Sequence, residues 1–339
     1  MNVLFLFLFL IIISIFFNKF LIFTSFFLDK NLKKKQAIHS VSIPRSGGFV
    51  SMTAILIVIF FNYYVYGIDN INFLPLLFGI FLIGLIDDYG IEFHPSLRLL
   101  FLIIVCFTYF LSYNFKLRTT GIGELDGLIY DYNLNFLIIT LCFLVIINGS
   151  NFIDGINGNL SIHYLCIFFL LSIIIPENQK ILLISVITTL TIFLYYNLKN
   201  KIFFGDGGAY LLGSFLGLLI VKSLEDNTGI SPFFYLILTA YLGSEVLISF
   251  LRRIFSKSNV AISDFNHLHS CLFKIFKNKT KLDAHLLTSI SINFFYISFV
   301  LPAFFFKDNF EITRNYLIFL YFIYFLFYIS IKNISARFK

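Results

Sequence analysis

The chain has 339 residues, of which 59% are hydrophobic and only 13% charged, against roughly 25% charged in an ordinary soluble domain. That length can bury a good-sized core, but so little polar surface cannot cover one this apolar, which excludes a soluble enzyme. The net charge of +7 would suit nucleic acid. Its distribution along the chain argues for membrane topology instead, and no nucleic-acid partner is expected.

Taken in chain order, the apolar runs predict eleven membrane spans: 3–23, 47–66, 73–89, 97–113, 134–153, 159–175, 181–197, 208–224, 232–251, 285–306 and 315–331. Runs of about 20 apolar residues cross a bilayer as helices. They lack the period-two alternation of barrel strands, so the fold class is all-α, a polytopic membrane protein forming one integral membrane domain over 1–339. Met1-Asn2-Val3 has no basic start and no small-x-small cleavage site follows, so the first run reads as a membrane helix. The segments 24–46, 90–96, 154–158, 198–207, 252–284 and the tail from 332, with Lys19 and Arg98, hold 19 of the 25 Lys and Arg residues. This asymmetry places that set in the cytoplasm, the N-terminus outside and the C-terminus inside. Cys106, Cys142 and Cys166 fall in apolar runs and Cys271 in a polar loop; none has metal-ligand spacing.

A group of polar residues does not belong to this apolar pattern. Asp87 and Asp88 close the third span. Asn148, Asn151 and Asp154 close the fifth, Asp206 opens the eighth, Glu245 lies inside the ninth, and His267 and His269 follow in the last large loop. All are expected at one membrane face. An ionisable group inside a span costs about 2.5–3.5 kcal/mol on insertion scales and so usually has a partner or a task. Asn148, Asn151 and Asp154 step by three and share one side of a helix. Adjacent Asp87 and Asp88 point about 100° apart, so at most one faces a common centre squarely. Gathered carboxylates and amide oxygens are hard donors that suit Mg²⁺.

Two glycine-rich segments, Pro44-Arg45-Ser46-Gly47-Gly48 and Gly205-Asp206-Gly207-Gly208, lead into predicted helix starts. Exposed N–H groups there favour anions. Together with a magnesium-like cluster they suggest phosphate chemistry.

These motifs, in this order, resemble the polyprenyl-phosphate N-acetylhexosamine-1-phosphate transferases: Pro44-Arg45-x-Gly47-Gly48; Gly84-x-x-Asp87-Asp88 followed by Leu97-Arg98; Asn148-x-x-Asn151-x-x-Asp154-Gly155; Phe204-Gly205-Asp206-x-Gly208; Glu245 with Arg252-Arg253; and His267-Leu268-His269. The resemblance implies transfer of a HexNAc-1-phosphate from a UDP-activated amino sugar to a polyprenyl phosphate, with Mg²⁺ as cofactor. By the same resemblance Asn151 and Asp206 hold the metal, while Asp87 or Asp88 positions the lipid phosphate. Asp154 and Asn148 orient the nucleotide sugar or organise the metal shell. Arg45, Asn157, Arg253, His267 and His269 complete the substrate-binding set, the last three from a mobile loop. The chain departs from the family pattern at Asn157, Leu242 and Glu245, where Asp, Pro and Asp are usual, and at Ser270 and Cys271, which follow His269 in place of a further basic run.

Two other functions compete. The phospho-MurNAc-pentapeptide transferases share the superfamily, but they carry a run of adjacent histidines where this chain has only His-Leu-His. A secondary transporter would place its acids near mid-membrane, not at one face.

Overall fold

The computed structural model describes residues 2–25, 27–28, 42–91, 94–113, 119–124, 126–127, 134–227, 229–256 and 266–338. Among them the protein is all-helical: α1 (Asn2–Thr24), α2 (Gly47–Tyr66), α3 (Leu74–Asp88), α4 (Pro95–Tyr113), α5 (Asn135–Ile153), α6 (Asn159–Leu171), α7 (Glu177–Leu198), α8 (Gly205–Asp226), α9 (Pro232–Leu238), α10 (Ala240–Ser256), α11 (Leu268–Lys279), α12 (Ala284–Val300) and α13 (Phe310–Ser335). Short 3-10 turns, Ile71–Phe73 and Leu301–Phe306, lengthen α3 and α12. Nine of these segments are long and apolar enough to cross a membrane. This is an all-α polytopic membrane protein.

The expected spans fall on these helices, with two differences. The expected span 232–251 is a broken pair, α9 and α10, bent by 75° at Thr239. The span expected over 159–175 is a helix of only 13 residues, short of the ~20 that a bilayer crossing needs. The polar segment 252–284 also differs from the loop expected of it. It contains α11, whose apolar side buries Leu268, Leu272 and Ile275, and Cys271 is buried there, not in open loop.

Helix α8 is the hub. Nearly all of it is buried, and its side chains are small where neighbours cross. A Cβ on Gly84 of α3 would overlap the Gly207 backbone, and one on Gly48 of α2 would lie 2.6 Å from the Gly208 Cα. On α5, Phe143 fills the space above Gly217, at 2.6 Å from where its Cβ would be. Lipid tails are as apolar as Leu, so helices in a membrane gain little from hiding apolar surface from one another. Close backbone approach through small residues supplies the attraction instead. Three helices thereby converge on the start of α8, and two of them carry the acids singled out above.

Candidate active site

The site is built around the first turn of α8. Gly205 has φ +75°, a left-handed conformation that an L side chain resists, and any Cβ there would overlap the Asp88 carboxylate. The exposed N–H groups of this helix start are met from a neighbouring helix. Asp88 Oδ1 accepts from Asp206 N–H and Oδ2 from Gly207 N–H, both at 2.9 Å. Asp88 is thus a helix cap supplied in trans by α3, its charge set against the positive end of the α8 dipole.

The preceding residue, Asp87, turns elsewhere. One guanidinium nitrogen of Arg98, on α4, donates to Asp87 Oδ2 and to Asp206 Oδ2, each at 2.8 Å. Two carboxylates from two helices therefore converge on one cationic nitrogen. Arg98 also lies over the ring of Tyr210, 5.7 Å from its centroid. Asn151 approaches from α5, its amide nitrogen 3.4 Å from Asp206 Oδ2 and 3.3 Å from the Tyr210 hydroxyl. One turn of chain further, Asp154 caps the end of α5. Burial and the charge of Asp206 raise its carboxyl to about 7, against the opposing pull of the nearby Arg45 charge. Arg45 lies within electrostatic reach of Asp87 and Asp88 as well.

Other predicted residues take different places. Asn148 donates back to the Leu144 carbonyl at 2.7 Å, which leaves its amide oxygen for other partners. Asn157 is buried and pairs with Asn200, the one just before the start of α6 and the other just after the end of α7; its own carbonyl accepts from Ser289 at 3.0 Å. Its side chain is used in packing and not at the acid cluster. Arg253 ends α10 with a buried Nε that has no hydrogen-bond partner among the described residues. His267 and His269 are buried, not carried on an open loop. His267 Nδ1 lies 2.6 Å from Glu245 Oε2, and Glu245 Oε1 accepts from Leu268 N–H at 3.0 Å and from the Tyr324 hydroxyl at 2.6 Å. The two imidazoles stack with centroids 5.6 Å apart. His269 is pressed against Gly155, where a Cβ would collide with its Nε2, and burial pushes its ring down to about 3, so it is neutral. The histidine pair therefore abuts the turn that carries Asn151 and Asp154.

The glycine-rich helix starts are not open anion sites. Gly47 and Gly48 N–H donate to the Phe203 and Phe204 carbonyls at 2.9 and 3.2 Å, and those of Asp206 and Gly207 serve Asp88. The glycines at these positions allow backbones to touch.

Residues 70–224 match the model of the glycosyl transferase family 4, and that stretch holds Asp87, Asp88, Arg98, Asn148, Asn151, Asp154 and Asp206. Over that stretch the chain is similar to glycosyl transferase family 4. It is 29% identical over 274 residues to the undecaprenyl-phosphate alpha-N-acetylglucosaminyl 1-phosphate transferase of Thermotoga maritima, covering 79% of each chain. It is also 31% identical over 193 residues to the phospho-N-acetylmuramoyl-pentapeptide-transferase of Dictyoglomus thermophilum, covering 54% of this chain and 60% of that one. The corresponding figures for the enzyme of that name from Streptococcus thermophilus are 26% over 209 residues, 55% and 61%. The family match stops short of Glu245, His267 and His269, which adjoin the centre only through the fold.

Two residues of the centre were not read as such from the sequence. Arg98 counted there as a topology charge next to a span, although it stands in the Leu97-Arg98 motif. Tyr210, four residues after Asp206 and so on the same side of α8, carried no signal beyond that spacing. As for a metal, no three His, Cys, Asp or Glu side chains among the described residues form a ready cage. The donor set of Asp87, Asp206 and Asn151 is oxygen-rich and already gathers around a positive charge. It fits Mg²⁺, which typically uses one or two carboxylates and completes its shell with water and phosphate.

Proposed function

We propose that this protein is a glycosyl transferase of family 4 that moves a HexNAc-1-phosphate from a UDP-sugar to a polyprenyl phosphate such as undecaprenyl phosphate and releases UMP, as the first step of a lipid-linked cell-envelope glycan. The observation that carries this reading is the convergence of Asp87 and Asp206 on the Arg98 guanidinium, two carboxylates on one cation at the ends of apolar helices. The names of its relatives support the carrier lipid and the sugar phosphate. A nucleotide sugar stays in water and a polyprenyl tail stays in lipid. Only a site at headgroup depth meets both, and the excess of basic residues argues that this is the cytoplasmic face of the inner (plasma) membrane.

The chemistry asks little of a base. The second pKa of a phosphate monoester lies near 6, so at neutral pH the attacking lipid phosphate is largely a dianion. The obstacle is bringing two anions together and stabilising the leaving UMP, which is a matter of positioning and charge. Asp206 and Asn151 would hold Mg²⁺, which would supply positive charge to offset that of the diphosphate. Arg98 and Arg45 supply fixed positive charge beside the acids. Asp87, held by Arg98 beside Asp206, can exchange the Arg98 contact and orient the lipid phosphate. Asp88 does not touch substrate; it holds the Asp206 backbone in place. Asp154 and the Asn148 amide oxygen face the nucleotide sugar, and Arg253, His267 and His269 line its far side.

The test is to incubate purified protein with Mg²⁺, undecaprenyl phosphate and a panel of UDP-HexNAc donors, UDP-MurNAc-pentapeptide among them, and to identify the lipid product by mass. A polyprenyl-diphosphate-HexNAc product with stoichiometric UMP is the expected result. A MurNAc-pentapeptide product would select the function named for the Dictyoglomus and Streptococcus relatives. Absence of any lipid product, with the donors intact, would overturn the reading.

A further inference from the structure

Glu245 lies outside the family match and outside the acid centre, yet it is a buried carboxylate with three hydrogen-bond partners. It is 2% exposed. Three groups from two further segments converge on it: the Tyr324 hydroxyl from α13 at 2.6 Å, Leu268 N–H at the start of α11 at 3.0 Å, and His267 Nδ1 at 2.6 Å. An ionised carboxylate can only accept hydrogen bonds, and a nitrogen–oxygen separation this short marks a charge-assisted bond. The carboxylate therefore fixes the His267 tautomer, with the proton on Nδ1. The ring plane is fixed as well. It lies 5.2 Å from the Phe152 ring and is stacked on His269 at an interplanar angle of 5°. Nδ1 is occupied, and Nε2 has no protein hydrogen bond among the described residues. Phe152 follows Asn151 directly, so this ring is held beside the end of α5 that carries Asn151 and Asp154.

We propose that Glu245, clamped by Tyr324, is a positioning residue that holds His267 as the Nδ1–H tautomer, so that His267 Nε2 accepts a hydrogen bond from a hydroxyl or amide N–H of the donor sugar. This rests on the transferase reading above and adds a specificity-determining residue to it. A bare Nε2 accepts and does not donate, so it recognises the sugar's hydrogen-bond donors and not the phosphate oxygens. Tyr324 places the origin of that selectivity on the last helix of the chain.

The experiment uses the full-length protein in detergent with ¹⁵N-labelled histidine, as wild type, Tyr324→Phe and Glu245→Gln. The wild-type His267 signal should show a protonated Nδ1 and a bare Nε2, and both variants should lose that single-tautomer signature. In the transfer assay, both should raise the KM for the UDP-sugar at least about fivefold, while inhibition by UMP, which lacks the HexNAc, changes less than about twofold. Tyr324→Phe retains the ring and removes one oxygen, so it serves where Glu245→Gln fails to fold. A wild-type His267 carrying its proton on Nε2, or UMP inhibition weakening in step with the sugar KM, would overturn the proposal. If the wild type transfers no sugar phosphate, the functional reading fails, and the ¹⁵N signature alone decides whether Glu245 sets the tautomer.

Discussion

Replacing Asp88 by Asn separates two roles that adjacent acids could share. Both Asp88 oxygens accept from backbone N–H groups at 2.9 Å. An Asn keeps one acceptor and turns an NH₂ group toward the other N–H, so one hydrogen bond to a charged group is lost, about 1.5–3 kcal/mol. The interaction with the helix dipole, about 0.3–1 kcal/mol, goes with it. The remaining strain falls on the first turn of α8, where Asp206 sits, so turnover should drop at least about tenfold, equivalent to about 1.4 kcal/mol in barrier. Asp87→Asn removes only one of the two carboxylates on Arg98, which keeps Asp206. The assay pairs turnover with thermal unfolding of the detergent-solubilised protein, followed by the fraction that remains monodisperse after heating. Asp88→Asn should lower the midpoint by several degrees and turnover together, whereas Asp87→Asn should lower turnover with a much smaller change in midpoint. An unchanged midpoint with lost turnover in Asp88→Asn would refute the capping role and put Asp88 on the substrate.

Asp206→Asn should abolish Mg²⁺-dependent turnover while the protein still inserts and purifies; normal activity would remove Asp206 from the metal site. Chelation with EDTA should stop transfer by the wild type, and added Mg²⁺ should restore it, as read by UMP release. Gly84→Ala forces a Cβ into the Gly207 backbone, and overpacking of that kind costs about 1–3 kcal/mol, so a lower unfolding midpoint is expected even though no functional side chain changes. Burial and the Asp206 charge raise the Asp154 carboxyl to about 7 from an ordinary value of 3.8, so the fold favours its protonated form. In metal-free buffer that contribution is complete below pH ~4 and is lost as pH rises through ~7, by at most about 4 kcal/mol. Asp154→Asn should flatten that slope in unfolding measured between pH 4 and 8.

The spans were legible because an apolar run of bilayer length has one stable solution, and the acid cluster because charges at span ends are few. Asp87, Asn151, Asp154 and Asp206 do come together. Spacing alone could not separate Asp87 from Asp88, since the distinction depends on which neighbour stands opposite: Arg98 for one, the α8 backbone for the other. Asn157 looked like its neighbours in the motif, yet the chain turns it against Asn200, between the start of α6 and the end of α7. The glycines at 47, 48, 207 and 208 suggested anion binding because glycine frees N–H groups. Here the same lack of a Cβ lets helices meet, and the helices consume those N–H groups. Helix α11 went unread because its N-terminal anchor, Glu245, lies 23 residues earlier in the sequence.

The buried position of α8 has a mechanical consequence. Outer helices such as α1, α4 and α13 present Phe and Leu to lipid and must tilt or shift when bilayer thickness changes, at fractions of a kcal/mol per Å of mismatch. A helix enclosed by α2, α3 and α5 has no lipid boundary to adjust. Changes in acyl-chain length therefore reach the perimeter first, and the depth of Asp206 relative to Asp87 and Asn151 stays constant across membranes of different composition.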